Sequence, residues 1–210
     1  MAWILMALAL TPVLSACSLT PARSATELHS YLLSPDLSGV SDPPPSEKRR
    51  PAVLLVNLPR ARAGFDSQRM VYLLRPHELR HYADNQWADQ PARMLAGLLT
   101  RALDRSGAAR IVAQMPGAGR GDYRLDADEL AVQQEFFVQP SRLRLTLRLH
   151  LVELPAQTVI ATRAFDIVED ALSDDAYGGV LAANKAVATL LAQAVSWVGA
   201  CLTGTGPQRC

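Results

Sequence analysis

Apolar and polar residues alternate most cleanly in "RLRLTLRLHL" (142–151). Leu143, Leu145, Leu147, Leu149 and Leu151 point one way, and Arg142, Arg144, Thr146, Arg148 and His150 the other. One face of this strand therefore packs on a core while the other meets water. Runs at 109–114, 123–137 and 158–168 read as strands joined with 142–154 in a meander. Upstream, "YLL" (31–33), "PAVLLVNLPR" (51–60) and "MVYLL" (70–74) are strand candidates, with a weaker one at 79–83. The run at 51–60 is nearly continuous and bounded by prolines, which fits a strand buried on both faces. Between them "SPDLSGVSDPPPSEKRR" (34–50) carries turn chemistry and reads as a loop.

The period becomes helical twice. In "DQPARMLAGLLTRALDRSG" (89–107) Asp89 is placed to cap, Pro91 sits in the first turn and Gly107 is placed to stop the helix. Met94, Leu95, Leu98, Leu99, Ala102 and Leu103 make its apolar stripe. The second helix is "SDDAYGGVLAANKAVATLLAQAVSWVGACL" (173–202), with Ser173 as its expected cap and Asp174 and Asp175 at its positive end. Its expected stripe is Tyr177, Val180, Leu181, Asn184, Val187, Leu191, Ala194, Val195 and Val198. Two one-sided helices and a one-sided meander predict an α/β fold of α+β character. The expected architecture is a mixed β-sheet with a meander and two principal helices packed on one face.

The amino terminus follows a different logic. Residues 1–16 carry no charged side chain, and 3–10 are apolar throughout. That run is short of the roughly 20 residues needed to span a membrane but suits the apolar core of a signal peptide. It ends at Leu14-Ser15-Ala16-Cys17, which resembles a bacterial lipobox: Cys17 would be diacylated, residues 1–16 removed and the new amino terminus acylated. Each buried methylene adds about 0.8 kcal/mol, so two or three chains hold a protein to a bilayer almost irreversibly. No other long apolar stretch is read, so no further membrane span is expected. The reading divides the chain into a leader (1–16), a lipidated tether (17–28), one domain (29–202) and a flexible tail (203–210). At ~3.3–3.6 Å per residue, the tether reaches about 40 Å at most.

The formal charge of +1 argues against a nucleic-acid binder. Beyond Cys17 the remaining cysteines are Cys201 and Cys210. In an exported protein they are candidates for a disulfide, which spacing alone does not fix.

His77, Glu78 and His81 in "HELRH" match the H-E-x-x-H zinc signature. That chemistry needs two imidazoles one helical turn apart and a glutamate activating a metal-bound water. On a strand the two would lie about 13 Å apart, too far for bonds near ~2 Å. Leu79, Tyr82, Ala83 and Trp87 would also line a helical face, so the pattern leaves both open. "GAGRGD" (117–122) lacks dinucleotide spacing and reads as a hairpin loop. No G-x-S-x-G elbow occurs. The row Arg142, Arg144 and Arg148 could face phospholipid headgroups or an acidic partner, but such a row more often is a solvated sheet face paired with acids, here Asp126 and Asp128. No catalytic, cofactor or metal site emerges.

In order along the chain, the lipobox at Cys17, "YLLSP", "PAVLLVNLP", "YADNQWADQPARMLAGLLTRAL", "FDIVED" and the alanine-rich helix closing on "SWV" resemble a known family. It is the PqiC-like auxiliary lipoproteins of ABC-type transport systems. The resemblance implies a non-enzymatic subunit on the periplasmic face of the outer membrane, held there by its acyl chains. Its implied partners are an MCE-domain protein and an ABC permease and ATPase that move lipid between membranes. It also implies that "HELRHYADNQWA" lies on a strand, and it leaves homo-oligomerisation open. Ser18 after the acylated cysteine is compatible with outer-membrane sorting. Two alternatives remain: a lipoprotein of another envelope machine, for lipopolysaccharide export or peptidoglycan synthesis, and a zinc hydrolase using His77, Glu78 and His81.

Overall fold

The computed structural model describes residues 27–40, 52–117 and 119–203. Cys17, the leader, most of the tether, Cys210 and the rest of the tail fall outside them. Among the described residues, eight strands form one mixed sheet and two helices cover it. The strands are β1 (His29–Tyr31), β2 (Val53–Val56), β3 (Arg69–Leu73), β4 (Leu79–Trp87), β5 (Ile111–Gln114), β6 (Tyr123–Glu135), β7 (Arg142–Glu153) and β8 (Thr158–Asp170). The helices are α1 (Pro91–Ser106) and α2 (Ala176–Thr203), and both share a single core with the inward leucines of β7. The α/β architecture expected from the pattern is the one observed.

The antiparallel meander is β6–β7–β8. β5 is not part of it. β5 and β6 flank β2 on opposite edges, both parallel to it. Residues 115–117 and 119–122 therefore lie on a crossing of β2 instead of a hairpin between β5 and β6, which corrects the reading of "GAGRGD". This crossing buries Leu55, while Leu54 and Val56 enter the core on the other face. It also demands glycine at 121, where a Cβ would stand 2.6 Å from the Leu55 Cγ.

β6 is the spine. One edge pairs with β7 along its length; the other pairs first with β2 and then with β3. The change coincides with a bulge, where Glu129 and Leu130 together face Leu147 and Glu129 adopts φ +57°. The extra residue flips the phase: Leu125 and Ala127 are buried before it, Leu130, Val132 and Gln134 after it.

β1 lies two residues earlier than expected. As the outermost strand on that side it pairs in parallel with β4, and the Tyr31 hydroxyl donates to Asn85 Oδ1 at 3.0 Å. The following segment is clasped by the Asn184 amide of α2, which accepts from Ser34 N and donates to Leu32 O. Leu33, between them, is buried.

α1 starts one residue later than the Asp89 cap predicts. Gln90 occupies the cap position, Asp89 Oδ1 accepts from Gln90 N, and Gly107 closes the helix in the left-handed region at φ 68°. In α2 the cap is Asp175, not Ser173. Its Oδ1 accepts from Gly178 N at 2.7 Å, and the Ser173 hydroxyl donates to the same oxygen at 2.9 Å. The buried face of α2 is rotated from the expected stripe: Tyr177 and Leu181 are exposed, and Ala182, Ala183, Ala186 and Leu190 are buried instead. Small residues let the helix settle close to the sheet. By length and composition α2 also qualifies as a membrane span, which the sequence reading passed over. Here Val187, Leu191, Ala194 and Val198 are buried in the protein core.

Gly179 marks a close approach of α2 to β6. A Cβ there would stand 2.2 Å from the Gln134 Oε1. An exposed helix glycine changed to alanine normally gains up to ~1 kcal/mol. Gly179→Ala should instead lose about 1–3 kcal/mol by overpacking, while Gly199→Ala, with open space around it, should be neutral or stabilising. Urea unfolding midpoints check both; equal midpoints would refute the close approach.

Candidate functional site

The chemistry-bearing side chains gather on the sheet face opposite the helices. Glu135, at the end of β6, is almost fully buried. Its carboxylate accepts from Arg142 Nε at 2.8 Å, Arg144 Nε at 3.0 Å and Gln133 Nε2 at 2.9 Å. Arg144 also donates to Asp166 on β8 at 2.7 Å, tying three strands together. The arginine row is thus paired with acids, but with Glu135 and Asp166. Asp126 is held by Arg124 and Asn57, and Asp128 by His150 at 3.2 Å, with Arg60 at 3.6 Å. Arg148 stands opposite Asp128 in register and is exposed.

Burial works to raise the Glu135 pKa, but hydrogen bonds from Arg142 and Gln133 and the charges of Arg144 and Arg142 outweigh it. The net result lies below the ordinary glutamate value of 4.5. A depressed folded-state pKa contributes stability above the unfolded value that is lost as pH falls through the folded one. Glu135→Gln should therefore cost about 1–2 kcal/mol at pH 7, discounted because both guanidiniums remain partly exposed. The gap to wild type should close below about pH 4.5. Urea titrations at pH 7 and pH 3.5 check this; a gap that widens in acid would refute it.

A second polar group sits under α2. Gln134 accepts from the Tyr82 hydroxyl at 2.9 Å and donates to Ser141 Oγ at 3.0 Å and to Asp175 O at 3.1 Å. Burial, with the Tyr72 phenol and Asp175 adding to it, pushes the Tyr82 phenol well above its ordinary value, so it stays a donor. Asp174 completes the join by accepting from Ser141 N. Sequence reasoning missed Glu135, Gln134 and Ser141. The signal available was "QQE" inside a strand, polar at positions that alternation assigns in turn to both faces.

The zinc motif does not assemble. His77 lies in a turn at φ 69°, and β4 begins at Leu79, so His81 is on a strand and the helical spacing is gone. Glu78 is held by Arg80 at 2.6 Å and by Arg75, and those hydrogen bonds lower its pKa, making it a poor base. Among the described residues no group of three His, Cys, Asp or Glu could hold a metal. Among the described residues, Glu135 with Arg142 and Arg144, and Arg144 with Asp166, latch strands together, while His150 lies between Asp128 at 3.2 Å and the Thr162 hydroxyl at 3.0 Å.

Residues 31–195 match the family model for the ABC-type transport auxiliary lipoprotein component. The chain belongs to that family. The match runs from the last residue of β1 into α2, so the resemblance drawn from the sequence motifs holds. This auxiliary lipoprotein is similar to the crystal structure of XCC0632 from Xanthomonas campestris, of family DUF330, with 25% identity and a TM-score of 0.70. The alignment covers 83% of this chain and 99% of that one. A second solved structure, of an uncharacterized protein, shares the fold at 13% identity and a TM-score of 0.61, covering 82% and 99%. No curated protein matches the auxiliary lipoprotein.

Proposed function

We propose that this auxiliary lipoprotein is a non-enzymatic subunit of an ABC/MCE-type intermembrane lipid-transport system, anchored through Cys17 to the periplasmic face of the outer membrane. The observation that carries the reading is the family match across residues 31–195. The ion pairs of Glu135 with Arg142 and Arg144, and of Arg144 with Asp166, support it, because they are used to join β6, β7 and β8. Residues 29–202 act as one domain behind a lipidated tether. The test is affinity purification of the lipidated protein from crosslinked envelopes. The expected result is co-recovery of an MCE-domain protein with the ABC permease and ATPase. Recovery of subunits of another envelope machine alone would overturn it.

Cys201 and Cys210 pair in the same reading. In support, Cys201 lies in the last turn of α2 and is disulfide-bonded. Closing so short a loop contributes on the order of 2–3 kcal/mol. Thiol labelling of the non-reduced, denatured protein should find neither cysteine free; two labelled thiols would refute the bridge.

A further inference from the structure

The β1 border of the sheet carries apolar side chains that are exposed among the described residues. Leu32 is 62% exposed, Tyr177 56%, Leu28 54% and Leu181 38%. Leu32, Tyr177 and Leu181 are brought together at α2. The Tyr31 ring meets that of Tyr177 at 6.2 Å, Asn184 holds the backbone at Leu32, and Tyr177 and Leu181 lie one turn apart on α2. Single exposed leucines are ordinary; a joined group marks a contact surface.

Beside it lies a groove of about 600 Å³ whose lining includes Leu28, Arg69, Tyr72, Arg80 and His81, and no acid. Arg80 is balanced by Glu78, whereas Arg69 has no carboxylate partner among the described residues. The border is therefore apolar with a basic margin, the composition that suits an anionic lipid surface.

The chain enters the fold at this border. Nine residues lie between Cys17 and Glu27, so the ten steps from one to the other reach about 35 Å when fully extended. An anchor on so short a tether holds the border at a high effective concentration beside the bilayer, so a modest apolar contact suffices to orient the domain.

We propose that the β1 border rests on the bilayer that anchors the chain. Leu28, Leu32, Tyr177 and Leu181 reach the acyl boundary, and Arg69 faces anionic headgroups. The proposal rests on the reading of Cys17 as the lipid anchor.

The test uses the lipidated full-length protein in vesicles of phosphatidylethanolamine and phosphatidylglycerol, a fraction of them brominated on the acyl chains. Tryptophan quenching is compared for Tyr177→Trp and for Val159→Trp, an equally exposed position on β8 at the opposite border. Quenching at position 177 should be at least twofold stronger than at 159, and adding Leu32→Asp should bring it down to the 159 level. Equal quenching at the two positions, in protein that still floats with the vesicles, overturns the proposal. If Leu32→Asp then strips co-purifying subunits, the border is a protein-docking face. Failure of the unsubstituted protein to float overturns the anchor itself, a separate result.

Discussion

Leu191→Asp unfolds the protein at neutral pH. Leu191 is fully buried in the face of α2 that packs on β7 and β8. The substitution removes an apolar contribution of about 1.5–3 kcal/mol. It also leaves an unpaired carboxylate in the core, at a cost of several kcal/mol more. Against a total stability of roughly 5–15 kcal/mol, little or nothing remains. Circular dichroism and urea titration read the result; a cooperative transition near the wild-type midpoint would refute it. Leu181→Asp gives the contrast. Helical periodicity placed Leu181 in the same stripe, but it is exposed, so its cost should stay within about 1 kcal/mol.

Cys17→Ser releases the protein from the membrane fraction into the soluble periplasm. The physical ground is cumulative: one myristoyl-length chain binds only marginally, whereas two or three on one residue add free energy methylene by methylene. Among the described residues, the rival anchor is α2, an apolar helix long enough to cross. Exposing it to lipid would strip Val187, Leu191 and Val198 from the core they fill. Fractionation with mass analysis of the amino-terminal peptide checks the outcome. An unacylated variant that stays in the membrane fraction would sink the lipid-anchor reading.

Much of the fold could be read in the sequence where burial is one-sided. The leucines of β7 alternate without interruption because an antiparallel partner flanks each edge and the helices cover one face. β6 hid its structure because the bulge at Glu129 and Leu130 reverses the phase mid-strand, and a single period fits neither half. The α2 stripe was misplaced by Tyr177 and Leu181: periodicity weights large apolar residues, whereas the close approach at Gly179 and Ala183 selects small ones. An apolar run at 109–114 announces a strand but not its partner, so the parallel placement of β5 beside β2 was out of reach. Glu135 stayed hidden for a similar reason. Its arginines lie seven and nine residues away, and only the β6–β7 register brings them to its carboxylate.

The Asn184 clasp has a mechanical consequence. β1 is three residues long and paired on one side only, so by itself it would peel from β4 under a modest pull. Any tension arriving from upstream of Glu27 meets a second attachment a few residues on, where Asn184 grips the backbone on both sides of buried Leu33. The load then passes sideways into α2, whose inner face is seated against β7 and β8. The strongest part of the molecule carries the strain, and the weakest strand is spared it.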